Sequence, residues 1–161
     1  MNLGRYQHCV CTRLDNTQPL CAAELTFSER GKQVRLTPKA GETAVAVVLD
    51  GCVMTDNHLK CDGLFLWKRR RTAAAVLVEL KGAGDIRHAF EQLAHARTRA
   101  EYQELLQSME DHQVREMAVI VSNGQLSKPE KERLEAHYDI RVKTILHSEA
   151  STPIPELRDY L

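Results

Sequence analysis

Asp62, Glu79 and Lys81 are the residues of this 161-residue chain whose types and spacing could do chemistry. Two apolar, β-rich runs, residues 59–67 and 73–81, flank Lys68-Arg69-Arg70-Arg71. A tight turn centred between Arg70 and Arg71 would set Asp62 directly opposite Glu79. Their Cβ atoms would then lie about 5 Å apart on one face of the hairpin, where two carboxylates repel unless a cation joins them. Lys81, two residues beyond Glu79, projects from that same face. Hard carboxylate oxygens suit Mg²⁺ or Mn²⁺, ions that keep several waters and bridge to phosphate oxygens. A neighbouring ammonium can orient an attacking water or offset negative charge. The expected chemistry is metal-assisted hydrolysis. The competing reading is a surface pair of acids with Lys81 as a salt-bridging neighbour. Leu64, Leu66, Leu77, Val78 and Leu80 weigh against it, since they mark buried strands where unpaired acids are costly.

The elements that must hold these residues follow from the pattern of the chain. Residues 43–54, TAVAVVLDGCVM, are β-branched and apolar, and Thr55-Asp56-Asn57-His58 supplies turn residues before the run at 59–67. Residues 73–81, AAAVLVELK, are apolar at both parities, as expected of a central strand covered on both faces. The three strands are expected to be antiparallel. Gly82-Ala83-Gly84 breaks the last of them, Asp85 is a good N-cap, and Ile86, Ala89, Phe90, Leu93, Ala96 and Ala100 predict a helix reaching about Met109. After a polar stretch at 111–115, MAVIVS at 117–122 reads as a strand with Asn123-Gly124 as its exit. Ser127-x-x-Glu130 with Pro129 reads as a capping box opening a further helix. Residues 140–146, IRVKTIL, alternate as a last strand, giving a βαβ crossover. A short helix is expected within QPLCAAELTFSERG, and an extended tail after Ser148. The expected order is αβββαβαβ in one α/β domain spanning 1–161.

Composition limits the partners. Lysine plus arginine and aspartate plus glutamate number 22 each, so no global field draws nucleic acid and any such binding rests on a local patch. The charge is polarised, with 12 basic and 8 acidic residues up to Gly82 and 10 and 14 beyond it. The dense basic cluster, residues 68–71, would sit at a hairpin tip roughly 25 to 30 Å from Asp62, either holding flanking duplex or forming a solvated turn. No apolar run is long enough to span a bilayer, and the first residues do not read as a secretory signal, so a cytoplasmic protein without membrane contact is expected. Cys9, Cys11, Cys21, Cys52 and Cys61 are odd in number and suit reduced thiols, with Cys52 and Cys61 packing across strands as core. His8, Cys9, Cys11 and Cys21 include zinc-ligand types but match no regular C-x-x-C spacing, and no metal is assigned to them.

CDGLFLW, followed by VLVELKG and an amphipathic helix carrying Gln92, resembles the PD-(D/E)XK, or restriction-endonuclease-like, nuclease superfamily over residues 43–122. The resemblance implies an αβββαβ core, here within about 20–147 and extended by a further αβ unit around a central mixed sheet. It implies a site made of Asp62, Glu79 and Lys81, with the backbone carbonyl of Leu80 also reaching the metal and Gln92 in support. Cys61 stands where the family has proline before the first acid, and Ala96 stands where RecB-type members often have a tyrosine. Many members add an acid ahead of the first strand, for which Glu24 is the choice and Glu29 the other candidate. Asp50, set opposite Gly63 by the first hairpin, is expected outside the site. His88, Gln92, His95 and Arg99 share one helix face, which is either part of the site or simply solvated. The implied activity is Mg²⁺- or Mn²⁺-dependent cutting of nucleic acid, with DNA ahead of RNA, in defence, restriction or repair. The implied partners are a second copy of the chain or a larger targeting protein. A reading from another class is a catalytically silent nuclease-fold protein that binds nucleic acid or protein as a regulatory module.

Overall fold

The computed structural model describes residues 1–14, 16–109 and 112–161. Glu110 and Asp111, where the polar stretch before the fourth predicted strand begins, lie outside the described residues. The chain opens with a 3₁₀ helix, Gly4–Cys9, and then forms a small antiparallel sheet from β1 (Cys21–Ala23), β2 (Thr26–Glu29) and β3 (Lys32–Arg35). This sheet replaces the helix expected within QPLCAAELTFSERG. Phe27 and Val34 lie opposite each other and are fully buried, while their sequence neighbours are more exposed, so the burial period is two. Arg30 and Gly31, both at positive φ, make the tight turn that a helix could not contain.

The central sheet has the order β4 (Thr43–Val48), β5 (Gly63–Arg69), β6 (Thr72–Lys81), β7 (Gln113–Ser122) and β8 (Val142–His147). The first three strands are antiparallel, and β7 and β8 add parallel to β6. The molecule is thus α/β with a mixed five-stranded sheet. In the β5–β6 hairpin Gly63 faces Val78 and Arg69 faces Thr72, the register that a turn at Arg70-Arg71 requires. The β4–β5 register departs from expectation. Val48 faces Gly63, a shift of two residues, because β4 stops at Val48 and residues 49–54 fold into a compact turn. Gly51 at φ 78° turns the chain, and the Met54 N–H closes onto the Leu49 carbonyl at 2.8 Å.

Helix α1 (Ile86–Arg97) follows a 3₁₀ turn at Ala83–Asp85, and α2 (Ala100–Gln107) follows a break at Arg99, whose extended ψ of 140° interrupts the single helix expected from the apolar pattern. Asp85 occupies the N-cap position of α1 without a side-chain capping bond. Helix α3 (Lys128–Tyr138) begins at the expected box, with Ser127 Oγ accepting from the Glu130 N–H at 3.3 Å. The βαβ crossover from β7 through α3 to β8 is present.

Each face of the central sheet is covered. On one face Leu64, Leu66 and Leu77 pack with Phe90, Leu93 and Tyr102 of the helices. On the other, Phe65, Val76 and Val78 pack with Phe27 and Val34 of the small sheet, the Phe27 and Phe65 rings lying 4.6 Å apart. Gly63 is required here, since a Cβ on it would fall 2.5 Å from Phe27 Cε2. The C-terminal tail is pinned where Arg158 pairs with the buried Glu42 carboxylate, which also accepts from Trp67 Nε1 at 3.0 Å.

Two disulfides, Cys9–Cys52 and Cys11–Cys21, replace the expected reduced thiols, leaving Cys61 free and buried. The expected packing of Cys52 on Cys61 is lost for the same reason as the β4–β5 register. Cys52 leaves the strand in the turn at 49–54 and meets Cys9 at the end of the first 3₁₀ helix. Among the described residues no helix is long and apolar enough to cross a membrane.

Candidate active site

Asp62 immediately precedes β5 and Glu79 lies near the end of β6, so both stand where the hairpin ladder runs out. Side chains continue the ladder. The Asp62 N–H donates to Glu79 Oε2 at 3.0 Å, and the Leu80 N–H donates to Asp62 Oδ2 at 2.7 Å. Lys81 Nζ lies 3.1 Å from Glu79 Oε1. The predicted triad is therefore assembled on one end of the sheet, and the register argument that placed Asp62 opposite Glu79 accounts for it. In extended backbone a residue's N–H and C=O point to the same neighbour, so the Leu80 carbonyl lies on the Asp62 side of β6.

Burial dominates the electrostatics. Glu79 is 1% exposed, and its carboxyl is held well above the usual range first by burial and then by the Asp62 charge, with Lys81 opposing both. Burial likewise pushes the Asp62 carboxyl up to about 7, against the Leu80 N–H, which favours the charged form. One ammonium thus only partly offsets two carboxylates in a poorly solvated place. A further positive charge with oxygen affinity would satisfy the site, and that donor set fits a hard divalent cation.

Two more acids act on Asp62. Glu29, at the end of β2, and Asp50 both raise its pKa through their charge. The register that excluded Asp50 does not apply, because the turn at 49–54 folds it back. The N–H groups of Leu49 and Asp50 donate to the Asp62 carbonyl at 3.0 and 3.3 Å, and Lys60 Nζ lies 3.5 Å from Asp50 Oδ1. Glu24, the acid chosen from the sequence to join the metal ligands, lies elsewhere. It sits in the β1–β2 turn and lines a shallow depression with Arg13, Arg35 and Pro38. The hairpin in place of the expected helix sets Glu29 at the parity of Phe27 in β2, at the strand's exposed end.

The polar face of α1, with Arg99 at the break after it, grips the loop that leads into Asp62. Gln92 Nε2 donates to the Lys60 carbonyl at 3.1 Å, His95 Nδ1 bonds the Leu59 carbonyl at 2.8 Å, and Arg99 Nη1 donates to Asp56 at 3.0 Å. His58 stacks on His95 with ring centroids 6.2 Å apart. Gln92 Oε1 is buried and has no hydrogen-bond partner among the described residues. His88, on the same helical stripe, is exposed and pairs with Glu91 instead. Three of the four residues on that face thus contact one loop. Helical spacing identified the face, but the loop it meets lies more than thirty residues away in sequence, where no local signal points. The basic turn, residues 68–71, stands at the far end of the β5–β6 hairpin from Asp62.

Among known proteins, no family model, no curated protein and no solved structure matches the chain.

Proposed function

We propose that this chain is a divalent-cation-dependent phosphodiesterase of the PD-(D/E)XK type, cutting nucleic acid, with DNA as the first substrate class and RNA as the second. The observation that carries the reading is the pairing of Asp62 with the buried Glu79 beside the half-buried Lys81, three charged groups with little structural reason to be gathered at a poorly solvated strand end. The Asp62 and Glu79 carboxylates and the Leu80 carbonyl would hold Mg²⁺ or Mn²⁺. When bound, such an ion polarises a phosphate oxygen and lowers the pKa of a bound water.

The chain's own residues have definite tasks in this reading. Asp62 and Glu79 must give up the protons that burial makes them keep, so loading the site is coupled to proton release. Lys81 holds its ammonium against Glu79, where it can orient a water or offset charge on the phosphate. Gln92 is a positioning residue, since its amide fixes the backbone two residues before Asp62. A second copy of the chain or a larger targeting protein would supply the substrate selectivity for which a single small domain has little room. Restriction, repair and defence are the settings such chemistry fits.

The test is a panel of linear, supercoiled, branched and single-stranded DNA and of RNA, with Mg²⁺ or Mn²⁺, comparing the wild type with folded Glu79→Ala. Cation-dependent cutting lost in the variant is the expected result. Absence of cutting by a folded wild type across the panel overturns it. The balanced charge, 22 basic against 22 acidic residues, would then favour a silent binding module.

A further inference from the structure

We propose that His8, Cys9 and Cys52 form a second cation site, for a thiophilic divalent ion such as Zn²⁺, which becomes available when the Cys9–Cys52 disulfide is reduced. This inference is independent of the nuclease reading. The three ligand atoms lie within 4.8 Å of one another, and His8 Nε2 is 3.5 Å from Cys9 Sγ. Tetrahedral zinc with Zn–S bonds of about 2.3 Å spaces its ligand atoms roughly 3.5 to 4 Å apart. Once unlinked, the two sulfurs need only part to that spacing. Cys9 ends the first 3₁₀ helix and is fully buried, while the exposed His8 marks the solvent side of the cluster.

Reduction is a two-electron step. A thiol or dithiol reductant supplies the electrons and is itself oxidised to a disulfide; the S–S bond breaks and two thiols form. Both thiols release their protons on binding the ion, and His8 binds as neutral imidazole, leaving one position for water. Two sulfurs and a nitrogen are a soft donor set, unlike the carboxylate oxygens of Asp62 and Glu79, so the two sites would select different ions. Cys11 and Cys21 do not make an equivalent site, because among the described residues no third His, Cys, Asp or Glu ligand joins them. Cys52 lies in the turn whose Leu49 and Asp50 N–H groups hold the Asp62 carbonyl. Disulfide and ion would therefore close the same link, between the N-terminal segment and the wall of the candidate active site.

The experiment is a Co²⁺ titration of the full chain after reduction and removal of the reductant, reading the near-ultraviolet thiolate-to-cobalt charge-transfer band. Carboxylate sites do not produce that band. The expected result is one equivalent bound by the reduced protein and displaced by Zn²⁺, with no band in the oxidised protein or in Cys52→Ser. Cys11→Ser and Cys21→Ser should retain it. His8→Ala removes an exposed ring, so the fold is kept, and affinity should fall on the order of tenfold or more, about 1.4 kcal/mol or more of binding free energy. No band in the folded, reduced wild type overturns the proposal. So does a band that survives Cys52→Ser, one that requires Cys11 or Cys21, or an affinity indifferent to His8→Ala.

Discussion

Asp62 and Glu79 are joined through backbone as well as charge: the Asp62 N–H donates to the Glu79 carboxylate, and the Asp62 carboxylate accepts from the Leu80 N–H. Each carboxylate is thus held by a backbone N–H of the opposite strand segment. Both carboxyls are raised chiefly by burial, and a pH dependence follows.

Both carboxyls titrate above their ordinary values, Asp62 at about 7 against 3.8. Between those values the native state holds a proton that the unfolded state has lost. Stability without divalent cation should therefore fall as pH rises through that window, by about 2 to 4 kcal/mol. Urea denaturation at pH 5 and pH 8 measures this, and Asp62→Asn should flatten the profile. Adding Mg²⁺ should restore stability at pH 8 more than at pH 5. Glu29→Gln should lower the pH at which the loss is complete and shrink the loss, since the Glu29 charge raises the native Asp62 pKa, and Glu24→Gln should leave both in place. A flat profile in the wild type would contradict the burial argument.

Gln92→Ala removes the amide that holds the Lys60 carbonyl. The expected effect is a fall in kcat of roughly tenfold with KM little changed, and a stability loss of about 1 kcal/mol, the usual size for one hydrogen bond. Gln92→Glu keeps the length of the side chain but loses the donor and should not rescue the rate. Unfolding and cleavage assays on the same preparations separate the two effects. A stability loss with unchanged kcat would assign Gln92 to the fold alone.

Gly63→Ala places a methyl group into the Phe27 ring, beside Asp62. Overpacking of this kind should destabilise the protein by about 1 to 3 kcal/mol and weaken cation binding at Asp62. Phe27→Leu in the same chain should recover much of both. A double-mutant cycle read by thermal unfolding and by cation titration checks the coupling, and additive effects would show that the contact is not the cause.

Much of the candidate site was legible before any coordinates. The β5–β6 turn is two residues long and the ladder beyond it runs without a bulge, so the register that a turn at Arg70-Arg71 sets also brings Asp62, Glu79 and Lys81 together. The capping box at Ser127 and the crossover to β8 were equally local in origin. The β4–β5 connection was different. Its fourteen intervening residues, 49–62, hold several turn-forming types, and none of them fixes where the strand must stop.

What the sequence by itself determined is the hairpin that pairs Asp62 with Glu79 and sets Lys81 beside them, because it depends on neighbours within twenty residues and on a two-residue turn. What only the tertiary structure decided is the surroundings. Glu29 influences Asp62, Asp50 returns to its edge, Gln92, His95 and Arg99 grip the loop before it, and Cys9 finds Cys52. Each of these pairings joins segments distant in sequence, and which distant segments meet is set by packing of the whole core, which no local pattern records.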